Sequence, residues 1–232
     1  MTSTPQFEIL AYEPTPLGVL CLRRRELLSR PGTIVTEVTL NHEFLMSSLN
    51  TLSERELANG GLKMHPGQDL RVLVGGLGLG YTAFEVLKSA RVAYVEVVEF
   101  LPQVVDWLDR ELFPLAPELK ADSRLTVVQD DVYARLASDP GPPFDLILID
   151  VDHSPDEKLG DSSSFFYSKE GLVKARQHLA LDGVLGVWSF ASSSPFVTAL
   201  KSVFSSVLDK EVSFNNTLID ETSTDHLFFA RP

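Results

Sequence analysis

Four short apolar runs, each leading into a glycine turn or stopping at an acidic residue, leave this chain little choice of fold. Arg71-Val72-Leu73-Val74 leads into Gly75-Gly76-Leu77-Gly78-Leu79-Gly80, and Val92 to Val98 stops at Glu99, nineteen residues past the last of those glycines. Leu125 to Val128 stops at Gln129-Asp130-Asp131, and Leu146-Ile147-Leu148-Ile149 stops at Asp150. A fifth strand is expected near 183–190, and helices near 80–89, 102–111, 131–137, 168–180 and 195–208. Regular strand–helix alternation of this kind specifies an α/β, doubly wound, mainly parallel sheet of Rossmann-like type.

Ahead of that sheet, residues 7–10, 17–22 and 33–40 read as short strands separated by Pro14-Thr15-Pro16 and Pro31-Gly32 turns. His42 to Leu57 shows helical spacing (Phe44, Leu45, Leu49, Leu52), with Asn59-Gly60-Gly61 as its stop signal. The expected organisation is a small N-terminal β-rich unit with a connecting helix over 1–62, then an α/β domain over 63–232. Residues 211–230 read as two strands that give the sheet an antiparallel ending, and Asp139-Pro140-Gly141-Pro142-Pro143 reads as a surface loop.

Ligands of open α/β sheets sit outside the carboxyl ends of the strands, so the strand-end acids and the glycine turn outline a nucleoside pocket. Gly76, Gly78 and Gly80 permit the positive φ and close backbone approach of a sharp strand-to-helix turn. The N–H groups of the next helix then face a carboxylate or polar ligand tail. Glu99 is placed to accept from both ribose hydroxyls, Asp130 from an adenine amine, and Asp150 lies beside the reacting end of the ligand. Asp131 reads as a helix N-cap. The dinucleotide fingerprint G-x-G-x-x-G/A is displaced: starting at Gly76 its third glycine falls on Tyr81, and the match Gly78-x-Gly80-x-x-Ala83 opens three residues beyond the strand. A nicotinamide cofactor is therefore disfavoured, and so is a P-loop, since no G-x-x-x-x-G-K-[ST] occurs.

Composition narrows the partners. A net charge of −12 and a pI near 4.8 argue against nucleic acid, which needs a basic surface, and suit a small cationic molecule. Hydrophobic content of 44% and mean hydropathy of +0.06 describe a well-cored globular chain. Its apolar stretches, all under ten residues, are too short to span a membrane. Met1-Thr2-Ser3-Thr4-Pro5-Gln6 lacks a basic-then-apolar leader, and the single Cys21 fits a reducing compartment, so a cytoplasmic location is expected.

With these residues in view, the chain resembles the spermidine synthase (polyamine aminopropyltransferase) family, within the wider S-adenosylmethionine-dependent, class I methyltransferase-type fold. The likeness runs from the β-rich start and the His42-Glu43 segment through the glycine turn, Val98-Glu99-Phe100, Gln129-Asp130-Asp131 and Phe144 to Asp150. It ends in Phe166-Tyr167-Ser168-Lys169-Glu170-Gly171-Leu172. The resemblance implies S-adenosylmethionine or decarboxylated S-adenosylmethionine held by Gly76, Gly78, Gly80, Glu99, Phe100, Asp130 and Asp131. It also implies transfer of an aminopropyl or methyl group to a small amine, with Asp150 as base and Asp152 and His153 against the substrate; a homodimer is compatible with it. Departures fall on the amine side. Gly78 stands where the family carries an aspartate, no tyrosine accompanies His42-Glu43, and the family's Asp-Ser-Ser-Asp-Pro loop is here Asp150-Val151-Asp152-His153-Ser154-Pro155. A divergent homologue is the better description; a small-molecule S-adenosylmethionine-dependent methyltransferase and a non-catalytic nucleoside-binding homologue are the alternatives. Asp152, Asp156, Glu157 and Asp161 read as a solvated acidic loop. Phe144 to His153 also resembles metal-dependent catechol-type O-methyltransferases. Trp188-Ser189-Phe190, however, supplies no carboxylate after the next strand, so no metal is expected.

Overall fold

The apolar runs form the middle of a large sheet in the structure, a computed structural model that describes residues 7–157, 163–216 and 221–232. Met1 to Gln6 and Asp161, read above from sequence, lie outside the described residues. The chain opens with a four-stranded antiparallel sheet, β1 (Phe7–Thr15), β2 (Gly18–Glu26), β3 (Ile34–Leu40) and β4 (Glu43–Ser47), paired in chain order. A helix, α1 (Leu52–Met64), connects it to the rest. Then follow β5 (Leu70–Gly75), α2 (Tyr81–Leu87), β6 (Val92–Glu99), α3 (Pro102–Asp109), α4 (Ala116–Ala121), β7 (Leu125–Gln129) and α5 (Val132–Ala137). The remainder is β8 (Phe144–Ile149), α6 (Ser163–Phe166), α7 (Lys169–Gln177), β9 (Leu179–Ser189), α8 (Ser194–Val203), β10 (Ser206–Asn216) and β11 (Glu221–Arg231).

The seven-stranded sheet has the order β10-β11-β9-β8-β5-β6-β7, parallel from β9 to β7 and antiparallel at β10 and β11. The chain winds outward from β5 through β6 to β7, then returns to place β8 on the other side of β5. That reversal leaves a crevice at the carboxyl ends of β5 and β8, the place where such sheets bind ligands. The glycine turn and Asp150 both lie there. The doubly wound α/β class and the small N-terminal β unit are as the sequence indicates.

Two expectations about the first 62 residues do not hold. His42 to Leu57 is not one helix, because Asn41 and His42 take positive φ of 51° and 70° and turn β3 back into β4. Two consecutive left-handed residues make the tight hairpin turn that matches strand twist; the helical spacing there is coincidental. Gly60 and Gly61 do not stop α1, which continues to Met64. A Cβ on Gly60 would stand 2.3 Å from the Phe229 ring and one on Gly61 3.1 Å from Leu148. The missing side chains bring the helix onto the sheet. At the other end, α8 stops at Val203 and β10 starts at Ser206, shorter and earlier than the alternation suggests. The short helices α4 and α6 carry no pattern long enough to read.

Buried Ala11, Leu20, Leu22 and Val38 of the small sheet share one apolar cluster with Leu101, Val104 and Trp107 and with one face of the large sheet. Trp107 Nε1 donates to Glu13 Oε2 at 2.9 Å, tying β1 to α3. The helix α1 packs on α2, β8, β9 and β11, so its N-terminal residues reach the sheet's carboxyl edge. No helix among the described residues is long and apolar enough to cross a membrane.

Candidate functional site

The crevice is built by close backbone approach. Asp150 donates its N–H to the Gly75 carbonyl at 2.9 Å, and a Cβ on Gly76 (φ 90°) would stand 2.2 Å from the Asp150 carbonyl oxygen. Only glycine allows the ends of β5 and β8 to meet this way. Gly80, in the left-handed region at φ 83°, is the N-cap of α2 and leaves the space that Leu119 of α4 fills.

Glu99 locks the loop between these strands. Its Oε2 accepts from Leu77 N and its Oε1 from Leu101 N, each at 2.8 Å, so one buried carboxylate spans the glycine turn and the start of α3. Burial pushes its pKa up, and these backbone N–H donors, with those of Gly78 and Phe100, oppose that. Its side chain is thereby fixed before any ligand arrives. Asp131 caps α5 by accepting from Tyr133 N and Ala134 N. Asp130 is exposed, and its Oδ1 accepts from Asp131 N at 2.8 Å.

Two cavities meet in the crevice. The first, about 240 Å³, is floored by Gly76, Gly78, Glu99, Phe100, Asp131, Asp150 and Asp152 and roofed by Leu17, Leu20, Val38, Leu45 and Met46 of the small sheet. The second, about 760 Å³, lies between α1, the start of α2, β9 and the β10–β11 pair, against Glu54, Tyr81, His153, Trp188, Phe190 and Asp225. Both are lined by Leu45, Met46, Gly78, Asp150 and Val151. The structure therefore gathers Gly76, Gly78, Glu99, Phe100, Asp131, Asp150 and Asp152 at the first cavity. Gly78, Gly80, Asp150 and His153 line the second, and Asp130 lines neither.

Asp152 turns inward, almost wholly buried, where it accepts from Tyr133 Oη at 2.7 Å; Tyr167 Oη lies 3.2 Å from Tyr133 Oη. Burial keeps both phenols protonated well above their ordinary range. The network pins the loop after β8, on the side of the first cavity. His153 sits edge-on to Phe190 with ring centroids 6.5 Å apart, at the second cavity.

Asp150 is the group common to both cavities that can exchange a proton. Thr82 Oγ1 donates to its Oδ2 at 2.7 Å. Burial raises its pKa to about 6, helped by the Asp225 charge and opposed by the Thr82 bond. At neutral pH it is ionised yet close to titration, the condition suited to a general base. Sequence reasoning missed two neighbours. Glu54 of α1 is pushed to about 8, first by burial and then by the Asp150 charge. Asp225 of β11 is pushed up by burial, opposed by the neighbouring Ser53 hydroxyl and Trp188 indole. Neither ends an apolar run, and Glu54 is embedded in the ordinary surface pattern Ser53-Glu54-Arg55-Glu56, so no local signal marks them.

The residues at the first cavity fit a nucleoside: a fixed buried acceptor at a strand tip, a glycine turn without side chains, and apolar walls for a base. Comparison with known proteins agrees with that geometry. No family model matches the chain. Over 129 residues (53% of the chain, 23% of the relative) it is 33% identical to polyamine aminopropyltransferase 2 of Streptomyces coelicolor. Over 80 residues (34% and 21%) it is 32% identical to putrescine N-methyltransferase 3 of Nicotiana tabacum. The matches span about a quarter of these relatives' length. Among solved structures, a spermidine synthase in complex with the transition state analogue AdoDATO superposes with a TM-score of 0.75 over 96% of this chain and 73% of that one, at 19% identity. Human methyltransferase-like protein 13 in complex with SAH gives 0.56 over 77% of this chain and 82% of that one, at 20% identity.

Proposed function

We propose that this chain, spermidine synthase-like in fold and in its matching sequence, is a transferase that alkylates a small amine with a group taken from an S-adenosylmethionine-type nucleoside. The observation that carries the reading is that the two cavities meet at Asp150 and Gly78. The first holds the nucleoside, with Glu99 accepting from the ribose and Asp131 at the base end. The second holds the amine. S-Adenosylmethionine or its decarboxylated form supplies a carbon activated by a neighbouring sulfonium, which the amine nitrogen attacks as the carbon–sulfur bond breaks and its electron pair returns to sulfur. Asp150 takes the surplus proton from that nitrogen and, through Thr82, keeps one orientation while doing so. The small sheet roofs the first cavity with apolar Leu20, Val38, Leu45 and Met46, a surface that disfavours water there. Because charge is lost from sulfur in the transition state, placement of the amine contributes most of the acceleration.

Aminopropyl and methyl transfer share these contacts, so the donor decides between them. The test is incubation with 1,4-diaminobutane and either S-adenosylmethionine or its decarboxylated form, followed by mass spectrometry. A product heavier by one methyl or one aminopropyl group, formed with one donor, is the expected result. Tight nucleoside binding with no alkylated amine from a panel of mono- and diamines would establish the non-catalytic alternative.

A further inference from the structure

The second cavity has an unusual charge balance. Glu54, Asp150 and Asp225 reach it from α1, the end of β8 and β11, three elements that meet only in the folded chain. Among the described residues none of the three is ion-paired. Arg55 pairs with Glu85 of α2 at 2.9 Å and Lys210 of β10 with Glu56 at 2.5 Å, while His226 Nδ1 of β11 lies 3.0 Å from Asp209 Oδ1; His153 and Glu157 also line the cavity. Tyr81 faces the same space from α2, with Arg55 over its ring. Glu54 Oε2 accepts from Ser53 Oγ at 3.2 Å. Burying carboxylates without a counter-charge is costly, so an empty cavity favours a proton there and a cation relieves the cost. The described residues include no group of three or more His, Cys, Asp or Glu arranged to hold a metal ion. Carboxylates spread around a cavity of about 760 Å³ with Tyr81, Trp188 and Phe190 on its walls suit an organic ammonium.

We propose, resting on the amine-acceptor reading above, that Glu54 is the specificity-determining residue of this cavity: with Asp150, which lines the same space, it forms a paired-carboxylate seat for the acceptor's ammonium. Thr82 fixes the seat, since its hydroxyl lies 3.4 Å from the Glu54 carbonyl and 2.7 Å from Asp150 Oδ2, joining α1 to the end of β8. Asp150 takes one proton from the seated ammonium before attack, leaving that nitrogen the lone pair that forms the new bond as the carbon–sulfur electron pair returns to sulfur; Glu54 makes no bond to the reacting carbon. Burial with Asp150 alongside holds the Glu54 carboxyl protonated at neutral pH in the empty cavity, so seating a cationic amine expels a proton.

The test uses 1,4-diaminobutane with methylthioadenosine present, measured by calorimetry at pH 7 in two buffers of different ionisation heat. The wild type should release close to one proton per amine bound. Glu54→Gln should release far less and bind the amine at least tenfold more weakly, with Glu54→Asp intermediate and methylthioadenosine affinity unchanged in all. In turnover, Glu54→Gln should raise the amine KM at least tenfold and move kcat less than threefold. An unchanged amine affinity, or equal proton release in wild type and Glu54→Gln, would overturn the assignment while leaving amine alkylation standing. Proton-coupled amine binding by a wild type that transfers nothing would do the reverse. Should Glu54→Gln fail to fold, the Glu54→Asp values decide: amine affinity and proton release equal to wild type overturn the proposal.

Discussion

Replacing Glu99 with Gln keeps the size of the side chain but leaves only one oxygen where two backbone N–H groups now find acceptors. One of Leu77 N or Leu101 N would face an amide N–H₂, and a buried unsatisfied donor costs about 1–3 kcal/mol. Nucleoside affinity should fall at least tenfold, read by calorimetry with methylthioadenosine; an unchanged affinity removes Glu99 from the pocket. Asp150→Asn retains an acceptor for Thr82 but no base, and turnover should fall about 10²–10⁴-fold while nucleoside affinity stays the same. In the wild type, kcat/KM for the amine should rise with pH through about 6 as Asp150 of the free enzyme ionises, and a flat profile there would place the base elsewhere, His153 being next. Glu54 and Asp150 also shape stability. Both bind protons more tightly folded than unfolded, so their contribution is complete below the ordinary carboxylate range and is lost as pH rises through about 6 for Asp150 and about 8 for Glu54. The ligand-free Glu54→Gln protein should therefore melt several degrees higher than wild type above pH 8, and an identical melting curve would mean that the Glu54 carboxyl titrates in water.

Among the elements, α1 departs furthest from what its residues suggest. It carries two glycines that would ordinarily end a helix, yet it is the element that delivers Glu54 to Asp150. Gly60→Ala would gain about 1 kcal/mol of helix propensity. It would also drive a methyl to 2.3 Å from the fully buried Phe229 ring, and overpacking of that kind costs about 1–3 kcal/mol. A fall in thermal midpoint of about 2–4 °C per kcal/mol lost is expected. Because any shift of α1 moves Glu54, amine affinity should fall with it while nucleoside affinity, set by the turn after β5, holds. A variant as stable as wild type would show that Phe229 swings aside freely. The turn between β3 and β4 makes a similar point: Asn41 and His42 in left-handed conformation override the helical spacing of Phe44, Leu45 and Leu49.

For the whole molecule, the strands and their order of use were legible because apolar runs such as Val92 to Val98 and Leu146 to Ile149 are bounded by residues that cannot be buried unpaired, so each strand announces its own end. The glycine turn was legible for the same local reason. Backbone that must take positive φ and lie within reach of Asp150 selects for glycine, and Gly76, Gly78 and Gly80 show it in the sequence alone. Those features fixed the doubly wound class, the crevice at the carboxyl ends of β5 and β8, and Glu99 and Asp150 at its edge. The tertiary structure decided the rest. It turned Asp152 inward to Tyr133, kept Asp130 at the surface, laid the small sheet over the first cavity, and brought Glu54 and Asp225 to Asp150 from opposite ends of the chain. Strand ends and tight turns are decided by neighbours in sequence and leave a local signature. The pairing of charges across a cavity is decided by burial and long-range packing, which no short stretch of residues encodes.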